Sequence, residues 1–302
     1  MAENRDPDQT NEAAVAGGEM SRRGFAALSL AAGLAATTAR SAQAAAQVVE
    51  TDVTIKTPDG DCQAAFIHPA TGSYPGVIIW PDAFGLRPVM RDFGKRIAAE
   101  GYSVLVPNPF YRVTQKTPVI ADTKNFDFAN PTDMAKLQPM MASIGAPGAA
   151  EKDATAFVAF LDSQAAVNKA KKIGTQGYCM GGPLTMRTAA TIPDRIGAGG
   201  SFHGGGLVTD MPTSPHLMVP KIKAKFYFGI AASDDMRQPD AKDKLKAAFA
   251  AAKNPAEIEV YAGTMHGWCV PDMPTGGGPI YSRPDAERAW AKLVTLYKTA
   301  LA

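Results

Sequence analysis

The chain has 302 residues, of which 46% are hydrophobic and 20% are charged, and its formal net charge at pH 7 is +2. These are ordinary values for a globular protein, and the length allows one large domain with a substantial core. Because no long run of like charge is present, the composition argues against nucleic-acid binding and against a basic segment that binds a membrane surface.

Residues 1–44 carry the features of an export signal. Arg22 and Arg23 precede an apolar segment that is too short and too rich in alanine for a membrane span. Ala42 and Ala44 supply the pattern of small residues found at a cleavage site. The stretch "SRRGF" is typical of a twin-arginine signal, with a general secretory signal or an uncleaved amphipathic helix as the alternatives. We therefore predict recognition by the twin-arginine export machinery, cleavage near Ala45, and a periplasmic or secreted protein without membrane attachment.

The domain 45–302 begins with strand patterns. Apolar runs and helical spacing predict, in chain order, a hairpin at 52–69, a strand at 76–80, a helix at about 88–100 and a strand at 102–107. Residues 113–147 are punctuated by proline and are poorly periodic. They predict a long excursion with short helical pieces, which is a candidate lid over a site.

The second half of the domain alternates helix and strand. The patterns predict a helix at 149–164, a strand at 172–178, a helix after 179, strands at 197–203 and 225–231, a helix at 241–252, a strand at 256–262 and a final helix at 285–301. This alternation is typical of an α/β fold with a mostly parallel central sheet and helices on both faces. Ligands of such sheets bind at the carboxyl ends of the strands.

The segment Gly177-Tyr178-Cys179-Met180-Gly181 has the G-x-C-x-G pattern of a nucleophile elbow with a thiol as the nucleophile. Small residues on either side of the nucleophile let the strand and the helix of such a turn approach each other closely. The turn also places Cys179 at a helix N-terminus, whose partial positive charge favours the thiolate. The N–H of Met180 is then directed at a developing oxyanion. An inert cysteine in a glycine-rich turn is the alternative.

A thiol nucleophile needs a base and an acid that orients the base, in the chain order nucleophile, acid, histidine. His266 lies between the last predicted strand and the final helix, where the base belongs. Asp234 and Asp235 directly follow the predicted strand at 225–231, and either can orient the imidazole, with Asp234 favoured. His203, which opens the stretch "HGGG", is interpreted as a strand-end turn near the site and not as the base.

With these residues, the chain resembles the dienelactone hydrolase family of α/β-hydrolases over nearly all of 45–302. Its elbow, "GYCMGG", differs from the family's usual G-Y-C-L-G-G by one aliphatic exchange. The stretch "WPDAFGLRPVMRDFGKRIAAEGYSVLVPNPFYR" matches a family segment in which an acidic residue precedes an F-G pair and an aromatic-x-R sequence ends the next strand. The resemblance implies an α/β-hydrolase fold and a triad of Cys179, His266 and Asp234.

The resemblance also bears on residues outside the triad. It places the second oxyanion N–H on Ala83 and makes Asp82, which is one methylene shorter, the counterpart of a glutamate that engages the resting cysteine. Asp235 is a further auxiliary candidate. The family's carboxylate-binding arginine, four residues after the catalytic histidine, is replaced here by Val270. The identity of the substrate therefore does not transfer, although Arg112 is a candidate substitute for the missing arginine.

The function predicted from these residues is hydrolysis of carboxylic esters or lactones through a thioester on Cys179. We expect a small-molecule ester or lactone as substrate and neither a cofactor nor a metal, because the histidines and cysteines lack metal-ligand spacing. The alternative is a catalytically weak protein of the same fold that binds a small apolar ligand. Cys62 and Cys269 are expected to be buried free thiols, with a disulfide between them as the alternative.

Overall fold

The computed structural model describes residues 47–275 and 277–302, and the export signal predicted within 1–44 lies outside them. Eight strands form one sheet in the order β1-β2-β4-β3-β5-β6-β7-β8. The pairs β1–β2 and β2–β4 are antiparallel, and all other neighbouring pairs are parallel. The strands are β1 (Val48–Thr57), β2 (Gly60–Pro69), β3 (Gly76–Trp80), β4 (Ser103–Pro107), β5 (Ile173–Tyr178), β6 (Ile196–Phe202), β7 (Lys225–Ala231) and β8 (Glu257–Tyr261).

Helices connect the parallel strands. Within the described residues they are α1 (Pro88–Ala99), α2 (Pro131–Gly145), α3 (Ala149–Ser163), α4 (Gly181–Thr191), α5 (Ala232–Arg237), α6 (Ala241–Ala251) and α7 (Arg283–Ala300), with a 3-10 helix at Pro215–Lys221. None of these helices combines the length and the apolar character that crossing a lipid bilayer requires.

The sheet has a hydrophobic core on each face, and β3 shows how one strand serves both. Ile78 and Trp80 point into the core that contains residues of α3 and α4, whereas Val77 and Ile79 point into the core that contains residues of α1 and α7. Because successive side chains of a strand alternate between faces, a strand covered on both faces is apolar throughout. The α/β class with a mostly parallel sheet, predicted from the alternation of elements, is confirmed.

The segment 113–147 contains a longer helix than its sequence predicts. Helix α2 has 15 residues and includes Pro139 in its interior. It begins after Asn130, whose side chain accepts a hydrogen bond from the N–H of Thr132 at 2.8 Å. The prediction of only short helical pieces is therefore wrong, because α2 continues through Pro139, a residue type that ordinarily interrupts a helix. The capping asparagine followed by Pro131 is the signal that locates the start of this helix.

Arg112 belongs to an ion-pair network beside the β1–β2 turn. Its guanidinium donates to the carboxylate of Asp153 at 2.6 and 2.8 Å and to Asp59 at 2.9 and 3.0 Å. The side chain of Asp153 is fully buried and also accepts a hydrogen bond from the hydroxyl of Tyr111 at 2.7 Å. Because two carboxylates already engage the guanidinium, Arg112 does not replace the family's carboxylate-binding arginine.

We expect Arg112→Met to destabilise the fold by roughly 3–5 kcal/mol, since it leaves the carboxylate of Asp153 buried without its cation. Urea unfolding measures the change. Lys223→Met is the matched control, because Lys223 pairs with Asp194 on the surface and both side chains are largely exposed. Equal unfolding midpoints for the two variants would contradict the structural role assigned to Arg112.

Candidate active site

Cys179 occupies a strained turn between β5 and α4. Its backbone has φ 51°, in the left-handed region that residues with a side chain rarely adopt. Its N–H donates to the carbonyl oxygen of Phe202 at 3.0 Å, and its own carbonyl oxygen accepts from the N–H of Gly182 at 3.0 Å. A non-glycine residue in this conformation costs about 1–3 kcal/mol and is most often found at functional sites. The turn directs a partly exposed sulfur to the carboxyl edge of the sheet.

Glycines on both sides make this turn possible. A Cβ on Gly177 would lie 2.1 Å from the carbonyl oxygen of Gly181, and a Cβ on Gly181 would lie 2.3 Å from the carbonyl oxygen of Trp80. Backbone therefore packs directly on backbone where α4 leaves β5 and passes the end of β3. The spacing of glycines that predicts an elbow corresponds to these contacts.

Met180 and Ala83, the predicted oxyanion donors, lie on two neighbouring turns. Met180 follows Cys179, and Ala83 lies in the loop after β3, against which Gly181 packs. Among residues 47–275 and 277–302, neither backbone N–H has a hydrogen-bond acceptor. Both donors are consequently available to an oxygen atom, which is the requirement for an oxyanion hole.

His266 is held by Asp234 and not by Asp235. Its Nδ1 lies 2.8 Å from Oδ2 of Asp234, and its backbone N–H donates to the hydroxyl of Ser233 at 2.9 Å. Asp235 points away and accepts a hydrogen bond from Nζ of Lys242 at 2.7 Å. The side chains of Asp234 and Asp235 point in different directions because the two are consecutive residues of helix α5. The structure thus brings Asp234 and His266 together and leaves Asp235 outside the site.

Because Nδ1 of His266 is bonded to Asp234, Nε2 is the ring nitrogen left for the sulfur of Cys179. One ring nitrogen of His266 and the sulfur of Cys179 lie within 4.8 Å of each other. Burial disfavours the charged ring, but the carboxylate of Asp234 and the sulfur of Cys179 outweigh it and raise the pKa of His266 to about 10. An imidazole placed between a carboxylate and a thiol is the arrangement that activates a cysteine nucleophile.

His203 lies deeper in the same site than its sequence context indicates. It is fully buried, and its ring lies against that of His266 with 4.8 Å between the centroids and 76° between the planes. Burial and the neighbouring His266 lower the pKa of His203 well below its ordinary value, so the ring is neutral. The prediction of a strand-end turn near the site holds for its backbone, which has φ 39°. The burial of the ring beside Cys179 and His266 has no signal in the sequence.

A cavity of about 440 Å³ opens beside the elbow. Met180 and Leu184 form its wall on the side of α4, and Met141 and Ile144 form its wall on the side of α2. Gly205 lines the cavity, and its N–H donates to the carbonyl oxygen of Cys179 at 3.3 Å, so the cavity adjoins the turn at Cys179. The segment 113–147 therefore supplies one wall of the cavity through the end of α2.

A sequence profile of the dienelactone hydrolase family matches residues 62–301, which include every residue of the site described above. The chain belongs to the dienelactone hydrolase family. It is 27% identical over 286 residues to a protein of Methylorubrum extorquens provisionally named carboxymethylenebutenolidase, with 91% of each chain covered. It is 24% identical over 253 residues to carboxymethylenebutenolidase of Rhodococcus opacus, with 82% of this chain and 90% of that protein covered.

Solved structures show the same fold. A crystal structure provisionally named dienelactone hydrolase from Klebsiella pneumoniae superimposes with a TM-score of 0.67 at 21% identity. The superposition covers 83% of this chain and 99% of that one. The α/β-hydrolase fold implied by the resemblance is confirmed, and the chain is a member of a family of hydrolases.

In this member of the dienelactone hydrolase family, Asp82, predicted as the counterpart of a glutamate that engages the cysteine, is bonded to an arginine. Both carboxylate oxygens of Asp82 accept hydrogen bonds from the guanidinium of Arg87, at 2.6 and 2.9 Å, and the pair is buried. Arg87 also donates to the carboxylate of Asp272 at 2.8 Å. The side chain of Asp82 thus anchors the loop that carries Ala83 and is already engaged at both oxygens. Val270, at the position of the family's arginine, is fully buried.

The other two cysteines, Cys62 and Cys269, are shielded from reagents by burial. Cys62 and Cys269 are buried and free, so the alternative of a disulfide between them is not realised. Burial, reinforced by the charge of Asp153, raises the pKa of Cys62, and burial raises the pKa of Cys269 well above its ordinary value. Both remain protonated thiols at neutral pH.

We expect iodoacetamide at neutral pH to alkylate Cys179 selectively in the folded protein, because the thiolate is the reactive species. Peptide mass spectrometry after a short reaction measures the label at each of the three cysteines. Labelling in urea is the control, since unfolding removes the burial of Cys62 and Cys269. Comparable labelling of all three cysteines in the native protein would contradict the assignment of Cys179 as the reactive thiol.

Proposed function

We propose that this protein hydrolyses carboxylic esters or lactones of small molecules with Cys179 as the nucleophile. The observation that carries the proposal is the position of His266, whose Nδ1 lies 2.8 Å from the carboxylate of Asp234 and whose ring has a nitrogen within 4.8 Å of the sulfur of Cys179. The names of the curated relatives, carboxymethylenebutenolidases, support the same class of reaction.

The proposed reaction has two halves. The thiolate of Cys179 attacks the carbonyl carbon, and the backbone N–H groups of Met180 and Ala83 stabilise the oxyanion; one such donor typically contributes about 10²–10³ in rate. The ester C–O bond breaks as His266 donates its proton to the leaving alkoxide, which leaves a thioester. Water then attacks the thioester while His266 accepts its proton, and the thiolate is released with the carboxylic acid. Asp234 keeps the imidazole oriented through both halves.

The cavity beside the elbow favours substrates with an apolar acyl or alkoxyl group. Its walls near the nucleophile are methionine, leucine and isoleucine side chains, and its one arginine, Arg187, is paired with Glu151 at 2.8 Å. Because Val270 stands where the family carries an arginine, we propose that the substrate does not need a free carboxylate. Each methylene buried in such a cavity contributes about 0.8 kcal/mol.

We also propose that the protein is exported from the cytoplasm. The paired Arg22 and Arg23 and the small residues before Ala45 support passage through the twin-arginine machinery to the periplasm or beyond. We expect the exported protein to begin near Ala45, and Arg22→Lys combined with Arg23→Lys to retain it in the cytoplasm. Intact-mass measurement of periplasmic and cytoplasmic fractions tests both expectations. An exported protein that keeps residues 1–44 would contradict the cleavage.

We expect measurable hydrolysis of aryl esters with apolar acyl chains and of simple lactones, followed as initial rates over a range of chain lengths. Cys179→Ala removes the thioester route, so only the small residual rate supported by the oxyanion donors and substrate binding remains. His266→Gln lowers kcat by about 10²–10⁴, the usual contribution of a general base. Asp234→Asn costs up to about 10⁴, because the imidazole loses its orientation.

Asp235→Asn is the matched control, since it changes the neighbouring carboxylate, which pairs with Lys242 and stays outside the site. Its rate should stay near that of the wild type. Equal rates in wild type, Cys179→Ala and His266→Gln would disprove the mechanism. Saturable binding of the esters without turnover in any of these proteins would favour the alternative, a ligand-binding protein with a hydrolase fold.

A further inference from the structure

The described part of the chain contains one group of three side chains with metal-ligating atoms close together: Cys179, His203 and His266. One donor atom from each, the sulfur and an imidazole nitrogen of each histidine, lies within 4.8 Å of the other two. The three residues follow β5, β6 and β8, so the sheet itself brings them to one edge. One thiolate and two imidazoles form a donor set that suits Zn²⁺.

The position of His203 in this group is unfavourable for the stability of the fold. Its ring is fully buried, and neither ring nitrogen has a hydrogen-bond partner within residues 47–275 and 277–302. A buried polar group without a partner costs about 1–3 kcal/mol, and its left-handed backbone, with φ 39°, adds a further unfavourable contribution. Hydrolysis as proposed above uses neither nitrogen of this ring. A buried imidazole directed at a thiol and a second imidazole, without other partners, indicates a ligand.

We propose that Cys179, His203 and His266 bind a Zn²⁺ ion through one sulfur and two nitrogens, with the fourth coordination position open. The inference goes beyond the proposed hydrolase activity and does not depend on it. It assigns a role to His203 that the elbow and the triad leave unexplained.

The geometry is close to that of a zinc site. Zn–N bonds of about 2.0–2.1 Å and Zn–S bonds of about 2.3 Å place tetrahedral ligand atoms roughly 3.3–3.6 Å apart. Small side-chain rotations bring donor atoms that lie within 4.8 Å of each other to those separations. Nδ1 of His266 is already engaged by Asp234 at 2.8 Å, which leaves Nε2 for the metal. A carboxylate that orients a ligating histidine in this way is the usual outer partner of a zinc ion.

Zinc binding has a defined chemical consequence for the site. The one proton held by the sulfur of Cys179 or by Nε2 of His266 goes to solvent, and both atoms form bonds with the metal. The same sulfur then no longer attacks a carbonyl carbon, and Nε2 of His266 no longer exchanges a proton with substrate. Zn²⁺ is therefore expected to inhibit ester hydrolysis reversibly, with activity restored by a chelator.

The test is a metal titration of the full chain, with affinity for Zn²⁺ measured by calorimetry and Co²⁺ used as the spectroscopic probe. We expect 1:1 binding, thiolate-to-cobalt charge-transfer absorption, and a zinc X-ray absorption spectrum with one sulfur and two imidazole nitrogens. Cys179→Ser should abolish the charge-transfer band. His203→Asn should weaken binding at least by the ~10–100-fold that loss of an outer partner costs. His68→Asn, which removes a histidine of β2, is the matched control and should bind as the wild type does.

Circular dichroism first establishes that each variant is folded, and the X-ray absorption spectrum of the wild type tests the site even if His203→Asn does not fold. Zinc bound without a sulfur ligand, equal affinity in folded His203→Asn and wild type, or no binding by the wild type would overturn the inference. The metal measurements do not require turnover. A protein that binds zinc as expected but hydrolyses no ester would overturn the proposed function alone, and ester hydrolysis through Cys179 without zinc binding would overturn this inference alone.

Discussion

The site depends on close contacts between backbone segments. These contacts are possible because the residues there are glycines, which have no side chain to keep the segments apart. A Cβ on Gly182 would lie 2.6 Å from the Cα of Gly204, so the start of α4 and the turn after β6 meet without intervening side chains. This contact, together with those of Gly177 and Gly181, fixes where the sulfur of Cys179 lies relative to the neighbouring loops. Any larger residue at these positions requires backbone movement, and a displacement of about 1 Å is enough to cost a large part of the rate of an oriented reaction.

The charges around His266 determine which protonation state its ring adopts in this geometry. Burial favours the neutral form of His266, whereas Asp234 and the sulfur of Cys179 favour the charged form and prevail. An imidazole beside a cysteine sulfur is the pairing by which enzymes activate a thiol nucleophile. The same atoms, with the proton removed, are electron-pair donors for a soft cation. The proposed nucleophile activation and the proposed metal binding thus rest on one set of contacts, and His203 adds a donor that only the second requires.

Much of the site follows from sequence because its determinants are local. Cys179 and its glycines are neighbours in the chain, and the strand preceding each loop is a continuous apolar run. The choice between Asp234 and Asp235 needs the direction in which α5 starts, which neighbouring residues do not specify. The burial of His203 depends on rings from other loops, and the engagement of Asp82 depends on a guanidinium. The contact of His203 with His266 joins segments far apart in the chain, and the pair of Asp82 and Arg87 depends on how one loop folds; neither follows a periodic pattern in the sequence.

Arg87 joins two loops of the candidate site that lie far apart in the chain. It holds Asp82, next to the donor at Ala83, and Asp272, which follows the loop of His266. The hydroxyl of Thr123 also donates to the carbonyl oxygen of Asp272, so the segment before α2 is fastened at the same point. Because one guanidinium bonds to both carboxylates, a movement of either loop shifts the other as well. The distance between the N–H of Ala83 and the ring of His266 therefore depends on a guanidinium that belongs to neither the elbow nor the cavity wall.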